Sequence, residues 1–155
     1  MSSPKILITG ANGQIGRVLT AELRKMYGQN AVLATDITKL DATNDPFEFL
    51  DILNKQRLKE IVEDHHITEI YHLAAILSAN GEWNPAKTWN INLNGLLAIL
   101  DLARDKELDK VFFPSTIAVF GTTTPRINTA QDVPLLPSTV YGMSKATGEL
   151  WCNYY

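Results

Sequence analysis

Tyr141 and Lys145 stand four residues apart in the run Tyr141-Gly142-Met143-Ser144-Lys145, a spacing that on a helix brings a phenol and an ammonium to one face. A free tyrosine ionises near about pH 10 and is a poor base at neutrality unless a nearby cation stabilises the phenolate. The pair therefore has the makings of a general base. Such pairs also arise by chance on exposed helices, so its weight depends on what accompanies it. Upstream, Pro114-Ser115-Thr116-Ile117-Ala118-Val119-Phe120-Gly121 closes an apolar strand, with Thr116 falling 25 residues before Tyr141. A small hydroxyl at the C-terminal end of a parallel strand faces the crevice where such sheets bind ligands. Thr116 is the candidate hydroxyl and Ser115 the near alternative.

A second group of residues points to an anion. Thr9-Gly10-Ala11-Asn12-Gly13-Gln14-Ile15-Gly16 joins the first apolar strand to a helix. Gly10 permits the tight turn, Gly13 lets the backbone approach a diphosphate, and Gly16 lets helix and strand pack closely. The N–H groups of Gln14, Ile15 and Gly16, with the helix dipole, then attract the charge. A glycine triplet alone also matches many structural turns. Here Asp36 ends the second strand 20 residues after Gly16, where a carboxylate accepts hydrogen bonds from an adenosine ribose and repels a 2′-phosphate. Together these features predict NAD over NADP, with nearby Lys39 arguing the other way.

Alternating apolar and amphipathic stretches supply the elements that hold these groups. Strands are predicted over Lys5–Thr9, Ala31–Thr35, Glu69–Leu73 and Lys110–Pro114, with a short additional one over Phe47–Leu50; helices are predicted over Gly13–Met26, Lys55–His65 and Pro85–Lys106. Continuous runs such as Ile6-Leu7-Ile8 suit parallel strands covered on both faces. The first helix presents Ile15, Val18, Leu19, Leu23 and Met26 as its apolar face. The third presents Trp89, Leu93, Leu96, Leu100 and Ala103, with Asn92 beside that stripe. Gly28 reads as a helix stop, and Asn84-Pro85 as an N-cap followed by proline at the first helical position. The pattern predicts an α/β fold, a doubly wound parallel sheet of order 3-2-1-4-5.

The 155 residues, 45% hydrophobic and 20% charged, suffice for one compact domain. A net charge of −3, scattered along the chain, offers no basic stripe and argues against a nucleic-acid partner. Cys152 is the only cysteine, so no internal disulfide forms, and no Cys/His spacing suits a metal. The opening Met1-Ser2-Ser3-Pro4-Lys5 leads into too short an apolar run for a signal peptide, and no run approaches the ~18 residues of a membrane span. A soluble cytoplasmic protein is expected. His65, His66 and His72 sit at element ends and read as structural or solvated.

The G-x-x-G-x-x-G spacing, with Asp36, Thr116, Tyr141 and Lys145, resembles the extended short-chain dehydrogenase/reductase family, whose fold is the Rossmann sheet. The resemblance implies that Asp51-Ile52 is the family's acidic-apolar pair at the adenine and Leu73-Ala74-Ala75 its cofactor-side loop. Thr116 matches the catalytic hydroxyl, and Lys145 is implied to hold the nicotinamide ribose while its charge and the oxidised ring favour the phenolate of Tyr141. Asn92, in the run Asn90-Ile91-Asn92-Leu93-Asn94-Gly95, resembles the asparagine that supports the active-site backbone or a relay water. A plain loop-capping amide is the equal alternative. A homodimer, packed through the helices that follow Asn84-Pro85 and carry Tyr141, is implied by analogy.

Within that family, Ala75–Glu82 with Asn84-Pro85, Ser115–Pro125, Pro137–Gly142 and Gly148–Tyr155 look like the short-chain L-threonine 3-dehydrogenases. The resemblance implies oxidation of the 3-hydroxyl of L-threonine to 2-amino-3-oxobutyrate, with Tyr141 taking the proton and Thr116 holding the hydroxyl. Ser78 either contacts the amino-acid head group or is an ordinary loop serine. UDP-sugar 4-epimerases share the glycine loop, Asp36 and the Tyr/Lys pair, and form the second reading. Family members run to about twice this length, so the C-terminal strands and the substrate lobe are expected to be missing and a sheet edge left open. The third reading follows: an NAD-binding fragment with weak or no threonine oxidation of its own.

Overall fold

The structure, a computed structural model, describes residues 3–38 and 45–155. Met1, Ser2 and the segment 39–44, which includes Lys39, lie outside the described residues. The chain divides into two compact units, Met1–Ala74 with Ala98–Pro114, and Ala75–Leu97 with Ser115–Tyr155.

The first unit is built on a parallel sheet. Its strands are β1 (Ile6–Thr9), β2 (Val32–Asp36), β3 (Phe47–Phe49), β4 (Glu69–His72) and β5 (Lys110–Phe112), with α1 (Gln14–Tyr27) and α2 (Lys55–Asp64) as crossovers. The order is β3-β2-β1-β4-β5, as predicted. β1 lies at the centre, pairing through Leu7 with Leu33 of β2 and Ile70 of β4, and Ile6, Leu7 and Ile8 are wholly buried. Each such side chain contributes about 1.5–3 kcal/mol by leaving water. Leu58, Ile61 and Val62 of α2 are buried as well. β5 stops at Phe112, short of the predicted Pro114, and forms one edge of the sheet, with its Lys110 and Phe112 exposed.

The predicted apolar face of α1 is corrected. Ile15, Val18 and Met26 are 62%, 65% and 69% exposed, while the buried residues are Gly16, Thr20 and Leu23, with Leu19 packed against the core. The cause is Gly16. A Cβ at Gly16 would lie 2.4 Å from the Gly10 carbonyl oxygen, so only a bare glycine can face this turn, and that fixes the helix's rotation. Ile15 and Val18 belong to a neighbouring stripe and are turned outward. Gly28 does end the helix, at φ 96°, its N–H bonded to Arg24 O.

The second unit holds α3 (Ser78–Gly81), α4 (Pro85–Trp89), a π-helical turn Asn90–Asn94, the start of α5 (Gly95–Lys106), a 3-10 turn Ile117–Val119 and α6 (Val140–Tyr154). Asn84 caps α4 as predicted, its side chain accepting from Lys87 N–H at 3.0 Å. The predicted stripe holds for Leu93, Leu96 and Leu100, but Trp89 is 38% exposed and Thr88 is buried in its place. The π-turn explains the slip. One extra residue in the turn moves the inward position preceding Leu93 back by one, from Trp89 to Thr88. Thr88 Oγ1 then shares its proton between Gly81 O at 2.9 Å and Asn84 O at 3.1 Å.

Candidate active site

In the first unit the strand ends and the glycine loop pack closely together. Gly10 takes φ 71°, a left-handed conformation open to glycine, and a Cβ there would lie 2.6 Å from Ala74 N. The loop after β4 is held against this turn by Thr9. Leu73 N–H donates to Thr9 O at 3.0 Å, and Ala74 N–H to Thr9 Oγ1 at 3.4 Å. Thr9 Oγ1 also lies 2.8 Å from His72 Nδ1, so buried His72 serves as a structural bridge between β1 and β4. Gly13 is the N-cap of α1 and gives it no side-chain cap, which leaves the N–H groups of Gln14, Ile15 and Gly16 to an outside acceptor.

Asp36 lies at the end of β2, with Oδ2 accepting from Asn12 N–H at 3.0 Å and Oδ1 from Ile37 N–H at 2.7 Å. The carboxylate is thereby tied to the glycine loop. The β2–β3 pairing carries Leu50 N–H to Asp36 O at 3.0 Å and brings Asp51-Ile52 to the same sheet end as Asp36. There Asp51 Oδ1 accepts from Leu53 N–H at 3.0 Å and Ile52 is buried. A tight uncapped helix start, a small-residue approach and a fixed carboxylate suit a dinucleotide's diphosphate and ribose.

In the second unit the helix α6 carries Tyr141 and Lys145 together. Lys145 Nζ lies 6.0 Å from the centre of the Tyr141 ring, and Lys145 is 4% exposed. Burial pushes its ammonium down to about 8, and it keeps its proton near neutrality. Thr139 caps the helix, accepting from Gly142 N–H at 3.0 Å. Gly142 permits a close crossing: a Cβ there would sit 2.2 Å from Ala118 O, so the turn after Thr116 packs directly on the first turn of α6. Thr116 Oγ1 accepts from Ala118 N–H at 3.2 Å, which leaves its own proton to donate. Ser115 is engaged instead with the Glu149 carboxylate.

Asn92 sits in the π-turn, 3% exposed. Its Oδ1 accepts from Ile76 N–H at 2.8 Å and its Nδ2 donates to Ile76 O at 3.0 Å. It thus braces the loop that follows Ala74 and Ala75. Ser78 opens α3 and is exposed. His65 pairs with Glu48 at 3.3 Å on the surface of the first unit. Among the described residues no cluster of three metal-ligating side chains occurs and no helix is long and apolar enough to cross a membrane.

Three contributors escape a motif reading. Ser144, buried at 1% exposure, accepts from Asn92 Nδ2 at 3.2 Å and donates to Tyr141 O at 2.8 Å. Glu82 accepts from Val140 N–H at 2.8 Å and so tethers the end of α3, the helix that Ser78 opens, to the start of α6. Gly142 is the third. The available signal was the set of small residues Gly142, Ser144 and Gly148 flanking Lys145 on α6.

A parallel sheet of this order, with a glycine turn after β1 and an acid at the end of β2, is a Rossmann-type fold, the architecture of many nucleotide-binding proteins. The chain belongs to the NAD dependent epimerase/dehydratase family, whose model matches residues 6–155. It is 45% identical over 155 residues to an uncharacterised epimerase/dehydratase of Staphylococcus aureus, covering 97% of this chain and 48% of that protein. The holo form of a GalE-like L-threonine dehydrogenase from Cupriavidus necator superposes with a TM-score of 0.95 at 46% identity, over 98% of this chain and 50% of that one. The UDP-glucose 4-epimerase of Thermotoga maritima, solved with UDP-glucose, superposes with a TM-score of 0.87 at 25% identity, over 96% and 50%. The chain spans about half the length of the relatives it matches.

Proposed function

We propose that the protein containing this chain oxidises the 3-hydroxyl of L-threonine to 2-amino-3-oxobutyrate with NAD. The observation that carries the reading is the grouping on α6 of the Tyr141 phenol and the buried Lys145 ammonium, with the turn of Thr116 packed against the same helix. NAD, when bound, accepts the hydride that leaves C3. Gly10, Gly13, Gln14, Ile15 and Gly16 would hold its diphosphate, Asp36 the adenosine ribose, and Asp51, Ile52 and the Leu73-Ala74-Ala75 segment the adenine and cofactor-side wall.

Thr116 donates its free proton to the substrate hydroxyl and fixes it, and Tyr141 takes the hydroxyl proton as the C–H bond breaks. Lys145 stabilises the phenolate and holds the nicotinamide ribose. Asn92 keeps the neighbouring backbone in place, and Ser78 meets the amino-acid head group. The substrate assignment rests on the 46% identity to the Cupriavidus enzyme against 25% to the epimerase. A cytoplasmic homodimer belongs to the same reading, with Met143, Leu150 and Tyr154 forming an exposed apolar stripe on α6 for the second copy. Gel filtration giving a monomer would remove the dimer.

The deciding assay follows NADH absorbance with L-threonine, L-serine and a UDP-hexose in parallel, for the full-length protein that contains this chain and for its Tyr141→Phe variant. Threonine-dependent reduction that falls by about 10²–10⁴-fold in the variant supports the proposal. Epimerisation of the UDP-hexose without threonine turnover would replace it with the epimerase reading, and NAD binding with neither reaction would leave a binding module.

A further inference from the structure

The buried side of α6 is unusual in what it lacks. Its fully buried residues are Gly142, Ser144, Lys145 and Gly148, none of them a large apolar side chain that could lock the helix's rotation by interdigitating with a neighbour. Orientation has to come from somewhere else. Ser144 supplies two directional bonds, donating to Tyr141 O and accepting from Asn92 Nδ2, 52 residues away in sequence. Asn92 spends its remaining donor on Ile76 O and its carbonyl oxygen on Ile76 N–H, so both donors and the oxygen of the amide group are engaged in one closed set. The π-turn is what aims this amide inward, and such turns concentrate at functional sites.

We propose that Ser144 is a positioning residue for the reaction, the link through which Asn92 sets the rotation of α6 and thereby the places of Tyr141 and Lys145. Ser144 precedes Lys145 directly and lies one turn beyond Tyr141, so any rotation of the helix about its axis moves the phenol and the ammonium together. Because Asn92 grips Ile76 as well, the loop leading to Ser78 and the helix carrying Tyr141 share one anchor. The inference rests on the reading of Tyr141 as the proton acceptor.

The test is a double-mutant cycle in the purified protein with NAD and L-threonine. Ser144→Ala removes one oxygen and raises helix propensity, so the variant is expected to fold. Its kcat should fall about tenfold to a hundredfold, the effect of a misplaced catalytic group, while KM for L-threonine holds steady and the Kd for NAD, touched only through the Lys145 contact, shifts far less than kcat. Asn92→Ala should lower kcat at least as far, and the double variant no further than Asn92→Ala alone. A purely structural serine would lower the melting temperature and leave kcat untouched. Wild-type kcat in folded Ser144→Ala or Asn92→Ala, or losses that simply multiply, overturns the proposal. Tyr141→Phe separates the two levels: if it is inactive while Ser144→Ala is fully active, only the positioning role fails, and if Tyr141→Phe turns over normally, the reading beneath it fails.

Discussion

The two units place their chemical groups by opposite means. In the first, the groups that suit a dinucleotide are set by backbone: parallel ladders bring Asp36 and Asp51 to one sheet end, and the turn at Gly10 closes on Ala74 with no room for a Cβ. In the second, polar side chains do most of the placing. Asn92 grips Ile76 and Ser144, Thr88 grips Gly81, and Glu82 holds the first amide of α6. Backbone placement tolerates polar exchange but not added bulk, whereas side-chain placement is lost with a single donor. On the proposed function, damage to the first unit should appear in cofactor affinity and damage to the second in rate.

The largest effect that would test this contrast is electrostatic. Lys145 is buried, and its folded pKa is held down to about 8 from 10.5 by desolvation. Between those values the unfolded chain binds more protons than the folded one, so stability is lowest below pH 8 and rises as the pH climbs toward 10.5. Lys145→Met, which buries no charge, should exceed the wild type in urea-unfolding stability by at most about 3 kcal/mol below pH 8, and the gain should shrink to nothing toward pH 10.5. Its turnover should be lost over the same range. A stability gain that grows with pH would show that the ammonium is held by favourable contacts and not strained by burial.

Next come two glycine-to-alanine changes that ought to split by unit. Gly142→Ala drives a methyl into Ala118 O, displaces the first turn of α6 and should reduce kcat about a hundredfold with the NAD Kd little changed. Gly10→Ala meets both a left-handed backbone and the Ala74 amide, costs about 1–2 kcal/mol in conformation alone, and should weaken NAD binding by about tenfold. Calorimetric titration with NAD beside steady-state kinetics reads both. If Gly10→Ala changed only kcat and Gly142→Ala only Kd, the assignment of affinity to one unit and rate to the other would be reversed.

The same contrast explains what the sequence could disclose. The strands, the glycine loop and Asp36 were legible because a parallel strand buried on both faces is a continuous apolar run, and because the loop's requirements are met by residue type alone. Leu93, Leu96 and Leu100 were legible by helical period. Trp89 was misplaced because a π-turn leaves no mark in apolar spacing, and Ile15 and Val18 because the azimuth of α1 is set by Gly16 against Gly10, a contact between backbones. Ser144 was hidden inside the very motif that drew attention to its neighbours. A hydroxyl between Met143 and Lys145 looks like filler until its partner 52 residues away is known.

The smallest expected effect sharpens the comparison most cleanly. Asn84 caps α4 through Lys87 N–H, exposed and removed from any group assigned to chemistry. Asn84→Ala should cost about 1 kcal/mol, the usual value of a lost N-cap, and lower the melting temperature by a few degrees. Its kcat and its NAD Kd should match the wild type. The cap is a side-chain hydrogen bond in the second unit, as is the bond between Asn92 and Ser144, so equal losses of kcat in Asn84→Ala and Ser144→Ala would mean that rate merely follows the stability of this unit. A loss confined to Ser144→Ala would mean that rate follows the orientation of α6, because the two variants remove bonds of one kind from one unit and differ in whether the bond reaches the helix that bears Tyr141.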